Sequence, residues 1–139
     1  MKKRIVPDAL SLCSLLIETY FGGEKLGIGT GFPWRSEDIT YLVTNGHVIS
    51  GIHPETGQPI SQAGATPDRI VVWLHQKSNL GSWAPSELDL QDAQGRPLWF
   101  EHPREGPKID VAVLPVDVGD DTRLFPINEL EYVEFRLEV

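Results

Sequence analysis

A chain of 139 residues with 40% hydrophobic side chains has the length and apolar content of one ordinary globular domain, so residues 1–139 are expected to share a single core. There are 20 acidic against 12 basic residues, a formal net charge of -8, and no basic cluster beyond Lys2-Lys3-Arg4, which disfavours nucleic acid as a partner because no electropositive face can form. The one cysteine, Cys13, rules out an intrachain disulfide, and no apolar run is long enough for a transmembrane helix, so a cytoplasmic protein with no membrane partner is expected.

Lys2-Lys3-Arg4 ahead of Ala9 to Ile17 has the outline of a signal peptide. Pro7 and Asp8 interrupt it and a small-residue cleavage site is lacking, so a basic N-terminus leading into a first strand is the preferred reading. Leu12 to Tyr20 reads as that strand, ended by Gly22-Gly23, although a short apolar run is also compatible with a helix. Leu26 to Trp34 is interrupted by Gly27, Gly29 and Gly31, which suits a sharply bent strand that its neighbours approach closely. A turn at Arg35-Ser36-Glu37-Asp38 leads back to Ile39 to Thr44, a β-branched, aromatic and aliphatic run that stops at the turn signal Asn45-Gly46. His47 follows at once. A titratable ring is therefore mounted where a rigid strand meets a loop, a common seat for a catalytic group.

Ser50 to Asp68 contains Pro54, Gly57, Pro59, Gly64 and Pro67 and reads as a long surface loop bordering the cleft that His47 faces. A strand is expected at Arg69 to Leu74. Asp92-Ala93-Gln94-Gly95 looks like a hairpin turn between Leu88-Asp89-Leu90 and Pro97 to Phe100. Ile109 to Val116 is the last clear strand, and within that otherwise apolar run Asp110 is costly unless it is paired or hydrogen-bonded, for which a nearby histidine would serve. Beyond it, Leu124, Phe125, Ile127, Leu130 and the alternating Tyr132 to Leu137 are many large side chains for a tail. Self-association as a two-fold homodimer is expected, with this C-terminal strand or a vacant face of the domain pairing with its copy, the alternative being a tail that folds back over its own domain. Six or seven short strands between turn residues, with no long helix-period segment, make an all-β barrel or sandwich.

Three motifs occur in one order: Gly29-Thr30-Gly31-Phe32, then Leu42-Val43-Thr44-Asn45-Gly46-His47-Val48, then Asp110-Val111-Ala112-Val113-Leu114. Together they resemble the first half of a trypsin-like (chymotrypsin-fold) serine peptidase, most closely its bacterial and high-temperature-requirement branches. The resemblance runs from Leu12 to Val116 and implies a six-stranded Greek-key barrel, the first of the two barrels in a complete enzyme. It implies that His47 is the general base and that Asp110 holds the imidazole in the useful tautomer. It also implies a peptide or protein substrate. No cofactor is expected, and the remaining histidines, His53, His75 and His102, read as lying in or beside loops with neither cysteine partners nor i,i+4 spacing, so a metal site is unsupported.

In that family the nucleophile stands in a Gly-Asn/Asp-Ser-Gly segment of the second barrel. Here the serines, from Ser11 to Ser86, all precede Asp110, and only Ser50 is followed by glycine. Cys13 precedes the histidine in an apolar run and is a poor surrogate. The expectation is the N-terminal half of a trypsin-like serine endopeptidase, inactive by itself for lack of nucleophile and oxyanion hole, with the missing C-terminal barrel as its partner. The alternative is a non-catalytic pseudo-protease barrel that serves as a protein or peptide interaction domain.

Overall fold

The computed structural model describes residues 9–79, 81–117 and 119–130. The basic N-terminus and the alternating Tyr132 to Leu137 stretch, one of the two surfaces through which a homodimer was expected, lie outside these residues.

The first apolar run divides in two. Ala9–Cys13 forms a short helix, α1, and the first strand, β1, is Leu15–Phe21 instead of beginning at Leu12. The cause is tertiary: the Leu12 carbonyl accepts a hydrogen bond from Nε2 of His75 at 3.0 Å, which satisfies a group that a helix end leaves open. The strand β2, Glu24–Ser36, is long and gives different stretches of itself to different neighbours, pairing with β1 through Glu24 to Gly31 and with β3, Ile39–Thr44, through Gly31 to Ser36. Gly31 is the residue paired on both sides, opposite Leu15 and Thr44. Glu37, at φ 56°, makes the tight turn between β2 and β3.

After the loop that follows β3, the chain returns as β4, Arg69–Gln76, and pairs with the far edge of β1. The order β4-β1-β2-β3, with the fourth strand brought back beside the first, is the Greek-key connection. β5, Trp83–Asp89, pairs with β4, while β6, Ala112–Pro115, pairs with β3, so the path reads β5-β4-β1-β2-β3-β6. A two-residue strand, β7, Thr122–Arg123, lies against the end of β4. The described residues are thus mostly β, a seven-stranded antiparallel sheet with a few short helices.

The closed six-stranded barrel expected from the sequence differs from this arrangement in one respect: no continuous ladder joins β5 to β6. Between them the chain makes isolated bridges only. Leu98 donates its N–H to the Leu90 carbonyl at 2.9 Å, and Phe100 and Val113 exchange backbone hydrogen bonds at 2.8 and 3.0 Å. Pro97 has no N–H to give, and the turn-rich residues on either side leave too few extended positions for a ladder. The expected hairpin is present as a bridge between Gln91 and Pro97, with Gly95 at φ 77° and the Asp92 carboxylate accepting the N–H groups of Gln94 and Arg96.

The inner face carries the core. Along β1, Leu15, Ile17 and Thr19 are buried while Leu16 is exposed and Glu18 and Tyr20 are half-buried, the two-residue period of a half-buried strand, which holds as far as the register shift between Thr19 and Tyr20. Ile70, Val72 and Leu74 from β4, Leu42 from β3, and Ala112 and Leu114 from β6 complete it with Ile49 and Leu90. β4 is covered on both faces, and His75, read from the sequence as lying in or beside a loop, is inside β4 and 3% exposed on its outer side. There it lies against the Trp83 ring at 3.9 Å between centroids and the edge of Phe125 at 5.4 Å. Leu124 packs on the core, and Asn128 exchanges side-chain hydrogen bonds with the Arg35 backbone at 3.0 and 2.7 Å, so the tail is docked on its own sheet as far as residue 130. Among the described residues, no helix is long and apolar enough to cross a membrane.

Gly31 is required by close approach. A Cβ there would stand 2.9 Å from Ile17 Cδ1, from Leu42 Cδ1 and from the backbone oxygen of Val43, and the last cannot move without breaking the β2–β3 ladder. Gly31→Ala is therefore expected to cost about 1–3 kcal/mol, read as a lowered urea midpoint at unchanged slope. A wild-type midpoint would show that the ladder yields without penalty.

Candidate active site

The strand β3 ends at Thr44, whose side-chain hydroxyl donates to the Thr30 carbonyl at 2.8 Å and ties the end of β3 back to β2. The turn expected at Asn45-Gly46-His47 is instead the start of a five-residue helix, α2, Gly46–Ser50. His47 is its second residue, and Gly51 at φ 68° ends it by donating its N–H to the His47 carbonyl at 2.9 Å. Ile49 anchors the helix in the core. On the side facing β2, Gly29 leaves room for the helix to pack, since a Cβ there would be 2.7 Å from Val48 Cγ1.

Asp110 lies two residues ahead of β6, in irregular chain, and not inside the apolar strand where the sequence places it. Its neighbourhood is correspondingly wetter: the carboxylate is 31% exposed and the His47 ring 38%. The two side chains nevertheless meet. His47 Nδ1 is 2.6 Å from Asp110 Oδ2, and the His47 backbone N–H donates to Oδ1 at 2.8 Å. The Asn45 amide also reaches this carboxylate, with Nδ2 at 3.4 Å from Oδ2. Gly46 makes the approach possible, because a Cβ on it would crowd Oδ1 at 3.3 Å. Burial pushes the Asp110 carboxyl up, but the hydrogen bonds from the His47 backbone and ring, the charge of that ring and the Asn45 amide outweigh it. The carboxyl is held below its ordinary range.

A carboxylate facing Nδ1 accepts the proton that Nδ1 carries, leaving Nε2 of the neutral ring with the lone pair that can take a proton from a nucleophile. Two concavities border the ring. One is a groove of about 600 Å3 between Gly27 and Ile28 of β2 and Ile60 to Ala63 of the loop that follows α2, as the position of that loop suggested. The other is a smaller cavity of about 260 Å3 lined by Ser50, Ile52, His53, Glu101 and Ile109. Of the other histidines, His53 shares that cavity, His75 is buried in β4, and His102 accepts backbone N–H groups from Arg104 and Glu105. Among the described residues no group of three or more His, Cys, Asp or Glu side chains is arranged to hold a metal ion. No serine hydroxyl among them hydrogen-bonds to the His47 ring, and Cys13 is buried at the end of α1, its thiol pushed up by that burial.

Sequence reasoning reached His47 and Asp110 and missed Asn45 as a ligand of the carboxylate. An asparagine immediately before a helix would ordinarily be assigned to capping that helix, and nothing local marks a contact 65 residues away.

Asp110 Oδ1 does the work of an N-cap for α2, so Asp110→Ala is expected to lower stability by about 1 kcal/mol, with Asp110→Asn costing less because its amide oxygen can still accept the His47 N–H. The folded-state carboxyl titrates below its unfolded range, so its contribution is complete above about pH 4 and is lost as pH falls through the lowered folded value. The difference in unfolding free energy between wild type and Asp110→Asn should therefore hold steady above about pH 4 and shrink as the pH falls below it. A difference that grew on acidification would contradict the assignment. Comparison with protein-family models, with curated proteins and with solved structures finds no match to this chain.

Proposed function

We propose that this chain is the histidine-and-aspartate half of a trypsin-like serine endopeptidase and that a second barrel supplies the nucleophile and the oxyanion hole. The observation that carries the reading is the double engagement of one carboxylate: Oδ2 faces His47 Nδ1 at 2.6 Å while Oδ1 takes the His47 N–H at 2.8 Å. A carboxylate at Nδ1 favours the tautomer with the proton on Nδ1 and, held by the backbone of the same residue, restrains the direction of the ring, which is what an orienting aspartate must do. In the complete enzyme a serine attacks the peptide carbonyl, Nε2 of His47 takes the hydroxyl proton and returns it to the leaving amine, and Asp110 stabilises the imidazolium between those steps.

The Greek-key order of β1 to β4 supports a first barrel of this kind, and in this reading Pro97 to Phe100 is the stave that completes its wall between β5 and β6. The open groove of about 600 Å3 beside His47 is where the peptide that the reading calls for would lie. The chemistry needs no cofactor.

Two outcomes test it. Residues 1–139 alone should give no labelling by a fluorophosphonate probe above a heat-denatured control, since loss of the nucleophile costs about a million-fold in turnover; a labelled serine would place the nucleophile in this half and overturn the division of roles. The pair itself is read from the nitrogen NMR signals of the ring. Wild-type His47 should carry its neutral-state proton on Nδ1. In Asp110→Asn the side-chain oxygen stays with the His47 N–H, the amide nitrogen then faces Nδ1, and the ring proton should move to Nε2. An unchanged ring in that variant would reject Asp110 as the orienting residue.

A further inference from the structure

Asn45 has the backbone of an N-cap, φ -67° and ψ 139°, yet its side chain makes no cap hydrogen bond to α2. The cap is supplied from elsewhere in the chain, since Oδ1 of Asp110 accepts the His47 N–H. The Asn45 amide crosses in the opposite direction. Its Nδ2 lies 3.3 Å from the Asp110 carbonyl oxygen and 3.4 Å from Asp110 Oδ2. Both partners only accept, so the amide must turn its nitrogen toward them and its orientation is settled by chemistry.

We propose that Asn45 is a positioning residue for the His47–Asp110 pair, its amide clamping the backbone and the carboxylate of Asp110 together so that the pair is set within this domain without a donor from another. The proposal rests on the reading of His47 and Asp110 as a catalytic pair. The reason a clamp is needed is the softness of the carboxylate torsion, a broad two-fold coordinate that packing alone does not define. About a third of the Asp110 side chain is open to water, so the carboxylate could trade the ring for solvent. A donor on Oδ2 that is simultaneously held by the carbonyl of the same residue opposes that rotation. It also leaves Oδ2 with fewer lone-pair sites for water, which biases the ring proton toward Nδ1. Asn45 is itself exposed and packs into no part of the core, so its replacement should leave the fold intact.

The test uses the whole chain labelled with nitrogen-15 and reads the ring nitrogens of each histidine in the neutral state. His75 provides the internal control: its Nε2 faces the Leu12 carbonyl, so its proton sits on the opposite nitrogen from that of His47, and its signals report the packing of α1 on β4. Asn45→Ala should raise the ratio of the Nε2–H to the Nδ1–H form of His47 about five-fold, as expected for loss of weak hydrogen bonds to a charged group, with His75 unchanged. Asn45→Asp keeps the volume and replaces the donor by an acceptor, and it should shift the ratio in the same direction and at least as far; it carries the comparison should the alanine variant disturb His75. A wild-type ratio in Asn45→Asp, or in Asn45→Ala with His75 intact, overturns the proposal and leaves the pair standing. A wild-type His47 already carrying its proton on Nε2 overturns the pair and the proposal together.

Discussion

The site depends on one carboxylate that serves two masters. Asp110 closes the N-terminus of α2 with one oxygen and faces the His47 ring with the other, and the two residues are 63 positions apart in the chain. A helix of five residues has no stability of its own, because nucleating the first turn fixes several dihedrals for a single hydrogen bond. What holds α2 is therefore external: Ile49 in the core, Gly51 closing its end, and a cap borrowed from the chain ahead of β6. The two contacts meet in one carboxylate, an oxygen for each, so the cap that holds the helix also brings the second oxygen to the ring.

The sheet delivers these groups to one place through its glycines. β2 can pass from β1 to β3 only because Gly31 lets Ile17, Leu42 and the backbone of Val43 come within contact of it, which brings the β1 side of the sheet against the β3 side. β3 then lies between β2 and β6, so that the end of β3, where His47 begins, and the start of β6, where Asp110 ends, are neighbours across one ladder through Thr44 and Ala112. Gly29 and Gly46 clear the remaining space, the first for Val48 and the second for the carboxylate. Each glycine acts by what it lacks, and together they convert a strand order into a side-chain distance.

Much of this was legible before any coordinates. The β-branched and apolar runs gave β3 and β4 within two residues of their observed ends, the Gly-Thr-Gly stretch predicted close backbone approach, and Gly95 marked its turn. The misreadings share a cause. Leu12 and Cys13 continue an apolar run but belong to a helix because His75, on a distant strand, takes the Leu12 carbonyl. Asp110 sits outside β6 because its carboxylate is drawn to α2, and the Asn45 side chain leaves the capping of its own helix to Asp110, which offers it a charged acceptor. Long-range hydrogen bonds displaced local preference in each case.

The sequence by itself determined a β-rich chain of short strands, the turn residues between them, and the two titratable side chains able to form a pair. Periodicity and composition are local properties, and they set which residues are extended and which face is apolar. Only the tertiary structure decided that β4 returns to the edge of β1, that isolated bridges and no ladder lie between β5 and β6, and that Asn45 turns to Asp110. Those outcomes depend on which distant polar groups can satisfy one another once the core has closed, a requirement on pairs of residues that no stretch of sequence states alone.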